Sequence, residues 1–185
     1  DPRGANVILV LDTSNSMNNS GSTGGTRFSN AVSAAQNVSS NLLGLNTEEY
    51  PNLVEMCLVE FNYDVATSGW YNEAGTANAQ GTYPTGSFNR LIADANRNSG
   101  TNWEEALQAA IAAANGHNDG DNTYIIFLTD GNPSANSANS SSNRYDTEAS
   151  ASNYRTNKNY MTATDEARQI IQNGWNFYTI GMYRS

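Results

Sequence analysis

Val7-Ile8-Leu9-Val10-Leu11-Asp12-Thr13-Ser14-Asn15-Ser16-Met17 decides the reading of this chain of 185 residues. Five apolar residues run without interruption and end on an aspartate and a hydroxyl-rich turn. A strand with one solvated face alternates apolar and polar residues, whereas an unbroken apolar run is covered on both faces, as in a parallel sheet. A second run of this kind, Thr123 to Leu128, ends on Thr129-Asp130-Gly131. Leu53 to Phe61 and Trp175 to Met182 read as further strands. Glu55 and Glu60 place part of the former near an edge or a solvated end. A weaker strand follows at Val65 to Tyr71, across the short turn Asn62-Tyr63-Asp64.

Helical spacing fills the intervals. Phe28, Ala31, Val32, Ala35, Val38 and Leu42 share one helical face. Phe88, Leu91, Ile92 and Ala95 share another, with Ser87 as N-cap. Trp103, Ala106, Leu107, Ala110, Ile111 and Ala114 define a third, closed by Asn115-Gly116. Ala163, Ala167, Ile170 and Ile171 define the last, with Gly174 just past its end. Alternating strands and helices predict an α/β fold: a doubly wound, mostly parallel, Rossmann-like sheet with helices on both faces. The length suits one domain over 1–185 with two polar loop insertions, at about 72–86 and 132–159.

Charge and composition exclude several classes. Nine basic residues stand against 18 acidic ones, for a net charge of −9. Lys158 is the only lysine. Such a chain has no phosphate-binding patch, which argues against a nucleic-acid partner. No apolar run approaches the ~20 residues of a membrane span, and no basic n-region with an apolar h-region opens the sequence, so the expectation is that any secretion signal has been removed or was never present. The Asn-, Ser-, Thr- and Gly-rich surface reads as extracellular. The lone Cys57 has no partner for an internal disulfide and reads as a small buried hydrophobe.

In an open α/β sheet, ligands bind beyond the carboxyl ends of the strands, at the switch point of the strand order. Asp12, Ser14 and Ser16 follow the first strand at alternate positions, so one tight loop can point three oxygens at one ion. Asp130 follows the third long strand. Thr101, in Gly100-Thr101-Asn102, precedes the Trp103 helix. These oxygen donors suit Mg²⁺, Mn²⁺ or Ca²⁺ rather than zinc or copper. Each also has an ordinary reading: Asp12 in an Asx turn, Thr101 with Glu104 in a capping box, Asp130-Gly131 as a turn pair. Their conjunction at one rim favours the cation site.

These residues carry a resemblance. Asp12, Ser14 and Ser16 in VILVLDTSNSM, Thr101 in SGTNWEEAL and Asp130 in IIFLTDGNP are similar to the D-x-S-x-S, threonine and T-D-G elements of von Willebrand factor A-type domains with a metal-ion-dependent adhesion site (MIDAS). The wording most resembles the domains of Gram-positive pilus-tip and cell-wall adhesins, with Asn15 where glycine is frequent. The resemblance spans essentially the whole chain. It implies that Ser14, Ser16 and Thr101 contact a divalent cation, usually Mg²⁺, with Asp12 and Asp130 acting directly or through water. It implies one open coordination position, completed by a Glu or Asp carboxylate of a protein partner: a host matrix or cell-surface protein, or another surface subunit. It further implies a secreted adhesin domain on the bacterial surface, associated with the cell wall or a pilus. The family usually continues with a helix, a strand and a closing helix. Here the chain stops at Tyr183-Arg184-Ser185, so the expectation is a C-terminally incomplete domain with Trp175 to Met182 as an exposed edge.

Other readings are weaker. A phosphotransferase of the haloacid dehalogenase type needs a second aspartate where Ser14 stands, and neither a nucleophile elbow nor a Walker loop is present. The expectation is therefore not an enzyme. An intracellular A-type subunit docking an AAA⁺ ATPase is disfavoured by the lysine-poor, Asn/Ser-rich surface. A structural pilus domain with an idle site is disfavoured by retention of all five ligand positions. His117 reads as a solvated loop histidine, and Tyr145, Tyr154 and Tyr160 as residues that either pin the long loop or contact a partner. The sequons at Asn18, Asn37 and Asn139 read as coincidence in an Asn-rich chain.

Overall fold

The computed structural model describes residues 3–136, 150 and 152–182. Strand β1 (Ala5–Asp12) leads through a 3₁₀ turn (Asn15–Asn18) into helix α1 (Arg27–Leu43). Strands β2 (Val54–Phe61) and β3 (Val65–Tyr71) follow, then helices α2 (Phe88–Ala93) and α3 (Trp103–Gly116). Strand β4 (Asn122–Thr129), helix α4 (Lys158–Gln172) and strand β5 (Asn176–Gly181) complete the order.

The five strands form one sheet in the order β3-β2-β1-β4-β5. β1 runs parallel to β2 and β4, and β4 parallel to β5; β3 returns antiparallel to β2. The odd positions of β1 (Val7, Leu9, Leu11) pack on one face with Phe28, Ala31, Ala35, Phe88 and Ile92 of α1 and α2. Its even apolar positions (Ile8, Val10) pack on the other with Leu107, Ala110 and Ile111 of α3 and Ala163 and Ile170 of α4. Both faces of β1 are therefore dry, which is why its sequence does not alternate.

Several local expectations are refined. β2 is an interior strand, so its glutamates mark not an edge but the neighbourhood of its two ends, the other alternative expected; Glu55 pairs with His117 and Glu60 is half-buried. Burial pushes the Glu60 carboxyl above its usual range, against the backbone bond from Asn96. Helix α3 extends through Gly116, with His117 at its C-cap, one turn position later than Asn115-Gly116 implied. Its N-cap is Asn102, whose side chain accepts from Glu105 N, not Thr101. Cys57 is fully buried.

Residues 72–86 carry no helix or strand, and α4 begins at Lys158, inside the second expected loop. Of the three tyrosines, Tyr154 packs edge-on against Tyr160, which in turn meets Trp103, so both pin the entry to α4. Tyr145 and Asn139 lie outside the described residues. β5 is an edge strand with Tyr178 and Ile180 exposed. No helix among the described residues is long and apolar enough to cross a membrane.

Candidate metal centre

The strand order reverses its winding between β1 and β4, since α1 and α2 cover one face and α3 and α4 the other. The rim beyond the carboxyl ends of these two strands is where such a sheet opens a cleft. A cleft of about 420 Å³ is present there, lined by Ser14, Ser16, Arg27, Thr101, Asp130 and Ser134 among others.

Asp12, the last residue of β1, forms the floor and is fully buried. Its Oδ1 accepts from the Ser14 backbone N–H at 2.8 Å, and its Oδ2 accepts from the Thr129 hydroxyl at 2.6 Å. Burial pushes its carboxyl up from 3.8 to about 6; the bonds from Ser14 and Thr129 oppose the rise, and the charge of Asp130 adds to it. Above Asp12, the Ser14 and Ser16 hydroxyl oxygens lie 3.0 Å apart. Ser16 Oγ donates to Asp130 Oδ1 at 2.7 Å. Neighbouring oxygens of a six-coordinate Mg²⁺ with bonds of about 2.1 Å stand roughly 3 Å apart. The oxygen spacing thus fits a small hard cation.

Thr101 reaches the same cleft by a different device. Gly100 adopts a φ of +89°, a conformation that side chains rarely tolerate, and turns the chain into Thr101. Ser134 and Ala135, after β4, donate backbone N–H groups to the Thr101 carbonyl at 2.9 and 3.3 Å, and Ser134 Oγ accepts from Thr101 N at 3.1 Å. Asn98 N–H donates to the Thr13 carbonyl at 3.1 Å, tying the loop before Thr101 to the loop after β1. With Asn102 acting as the helix cap, the Thr101 side chain is not used as one. The structure therefore brings Ser14, Ser16, Thr101 and Asp130 to one cleft, with Asp12 behind them.

Arg27 is the residue that the sequence did not reveal. It opens α1 just after the capping box formed by Thr26 and Ser29. Its Nη1 donates to Asp130 Oδ2 at 2.7 Å, where the Asp130 side chain is fully buried and that of Arg27 is 18% exposed. Its Nε is buried and has no hydrogen-bond partner among the described residues. Among the described residues lining the cleft or beneath it, Asp12 and Asp130 face one guanidinium, which leaves one negative charge, formally that of Asp12, without a cationic partner. A buried carboxylate in this state is costly, and a divalent cation is the natural compensation.

A histidine-containing cluster lies elsewhere. Glu55, His117 and Asp119 bring one ligand atom each to within 4.8 Å of one another, at the amino ends of β1 and β2, opposite the rim. His117 is not a solvated loop residue. Its ring stacks on Trp70 at 4.1 Å with a 16° tilt, and its Nε2 lies 2.9 Å from Glu55 Oε2.

The fold and rim define a class of α/β domain built around a hydroxyl-and-carboxylate cleft at its switch point. The chain belongs to the von Willebrand factor type A domain family, whose model matches residues 7–132 and so includes all five rim positions. Its fold is similar to the vWF domain of the type V pili tip protein Mfa5 from Porphyromonas gingivalis, at 18% identity and a TM-score of 0.57, over 74% of this chain and 40% of that one. It is also similar to the pilus adhesin SpaC from Lactobacillus rhamnosus GG, at 20% identity and a TM-score of 0.54, over 71% and 16%. Manganese-loaded TRAP protein from Plasmodium vivax matches at 13% identity and a TM-score of 0.51, over 98% and 58%. The chain thus spans between 16% and 58% of the length of these structures. No curated protein matches it.

Proposed function

We propose that this chain is a non-enzymatic adhesion module of an extracellular surface, of the pilus-tip kind, that binds Mg²⁺ at the rim and captures an acidic group of a protein partner. The observation that carries the reading is the oxygen cluster of Ser14, Ser16 and Asp130, at 3.0 and 2.7 Å, with Thr101 in the same cleft and Asp12 beneath. Ser14, Ser16 and Thr101 are the direct ligands in this reading, and Asp12 and Asp130 hold the hydroxyls and neutralise charge. A bound divalent cation supplies an electrophilic position that a partner carboxylate completes.

The chain's own residues make that position attractive to an anion. Three of its donors are neutral hydroxyls, which leave a cation's charge only partly neutralised. Arg27 cancels the charge of Asp130. The sum of −1 over Asp12, Asp130 and Arg27 then becomes +1 when Mg²⁺ is added. A fully carboxylate-lined site would instead repel the partner. Pilus-tip proteins and a manganese-loaded protein are among the structures that share this fold, in keeping with the same reading.

Thermal unfolding tests it. In EDTA and then in Mg²⁺ or Mn²⁺, the wild type is expected to gain about 3 kcal/mol at a hundredfold excess over the dissociation constant, by mass action. Ser16→Ala and Asp12→Ala are expected to lose that gain. A midpoint indifferent to Mg²⁺, Mn²⁺ and Ca²⁺ in the wild type would sink the proposal.

A further inference from the structure

We infer that the pole of the sheet opposite the rim is a second metal site, built from Glu55, His117 and Asp119, and selective for a borderline ion such as Zn²⁺. Three elements converge there. Glu55 comes from the start of β2, His117 caps the end of α3, and Asp119 lies in the turn before β4. Glu55 Oε2 and Asp119 Oδ2 both face the same imidazole nitrogen, His117 Nε2, at 2.9 and 3.6 Å. One N–H donates to one oxygen well; it does not need two carboxylates. Two donors about 2.0–2.1 Å from a common ion and separated by these distances subtend roughly 90° and 120° at it, the range of a distorted four-coordinate zinc.

Groups behind the ligands fix their aim. The Trp70 indole stacks on the imidazole and sets its plane. Asn6, buried at the start of β1, donates Nδ2 to Asp119 Oδ1 at 2.7 Å, and Asp121 N–H donates to the same oxygen at 2.9 Å. Asp119 Oδ2 is thereby turned toward His117. Asn6 Nδ2 also lies 3.4 Å from the His117 carbonyl. Ligands held from behind by hydrogen bonds are the usual construction of a metal site.

The donor chemistry separates the two poles. The rim offers only oxygen, which suits Mg²⁺. The opposite pole adds an imidazole nitrogen, which moves preference to Zn²⁺, Co²⁺ or Ni²⁺. His117 is the sole histidine of the chain, so an imidazole-bound ion can sit nowhere else.

The test uses the metal alone. The protein, with its rim saturated by Mg²⁺, is titrated with Zn²⁺ while the single imidazole is followed by NMR, in the wild type, His117→Gln and Glu55→Gln. One Zn²⁺ per chain is expected, with the His117 resonances shifting in step with binding. At least a tenfold loss of affinity is expected in each variant. Co²⁺ should give the intense visible absorption of a low-coordinate site in the wild type alone. Unmoved imidazole resonances in the wild type would overturn the inference without recourse to any variant. So would equal Zn²⁺ affinity in His117→Gln; His117 would then serve only as an ion-pair partner of Glu55 and Asp119.

Discussion

The two ends of β1 handle carboxylates in different ways. At the rim, Asp12 and Asp130 are both buried, and a single guanidinium from Arg27 compensates one of them. At the opposite end, Glu55 and Asp119 are 19% and 37% exposed and share the His117 imidazole. The first arrangement is dry and leaves a carboxylate charge that protonation of Asp12 or an added cation offsets. The second is wetter, so solvent screens its charges. On the proposed reading, burial makes the rim depend on metal, and donor type sets which metal each pole would prefer.

The largest expected effect breaks the rim's ion pair. Asp130→Ala leaves the Arg27 guanidinium mostly buried without its partner and removes the acceptor of Ser16. A loss of about 2–4 kcal/mol in chemical denaturation is expected, near the range for breaking a buried pair after allowance for Arg27's partial exposure. Glu55→Gln, at the wetter pole, is expected to cost under about 1 kcal/mol. Adding Arg27→Leu to Asp130→Ala should recover part of the loss, because the stranded charge goes with it. Equal losses for Asp130→Ala and Glu55→Gln would erase the contrast between the poles.

A second, smaller effect has an unusual sign. The folded Asp12 carboxyl titrates at about 6, above its ordinary 3.8. A raised folded value favours the protonated form, so Asp12's contribution is full below its ordinary value and is lost as pH rises through about 6. In EDTA at about pH 7.5, Asp12→Asn is therefore expected to be more stable than wild type, by on the order of 1–3 kcal/mol. Mg²⁺ should remove that advantage, since it stabilises only the protein that retains the ligand. Equal stabilities in EDTA would mean that the rim carboxylate is solvated after all.

The poles also differ in how visible they are in the sequence. The rim is legible because its donors follow strand ends that the apolar runs already mark. Asp12, Ser14 and Ser16 stand at alternate positions of one short loop, and Thr101 and Asp130 sit at the places where a switch point requires something. Arg27 was hidden, because nothing in the sequence shows that the first turn of α1 folds back over the rim. His117 was misread for a related reason. Its hydrogen-bond partner Glu55 lies 62 residues earlier, in a strand whose glutamates read as the mark of an edge or a solvated end. The Thr101–Glu104 capping box was a local pattern overruled by tertiary contact: the clasp of Ser134 and Ala135 holds Thr101, and Asn102 caps the helix instead. Contacts carried by neighbours in sequence are readable; contacts between a helix end and a distant strand are not.

The smallest expected effect asks whether the two poles communicate. Asn6 and Asp12 are joined by one strand of β1, and six residues of strand span about 20 Å. That strand is paired on both sides along its length, and both of its faces are packed against helices. It has no evident second arrangement, and sites more than ~10 Å apart without a shared partner usually add within about 0.5 kcal/mol. Zn²⁺ affinity is thus expected to change less than about twofold between EDTA-treated protein and protein saturated with Mg²⁺ at the rim. The comparison is best made with Ser16→Ala as the reference, in which the rim cannot load. A shift of more than about fivefold in the wild type, absent from that reference, would show that β1 or a helix packed on it has two positions. The two metal sites would then be ends of one switch rather than independent fixtures of the same sheet.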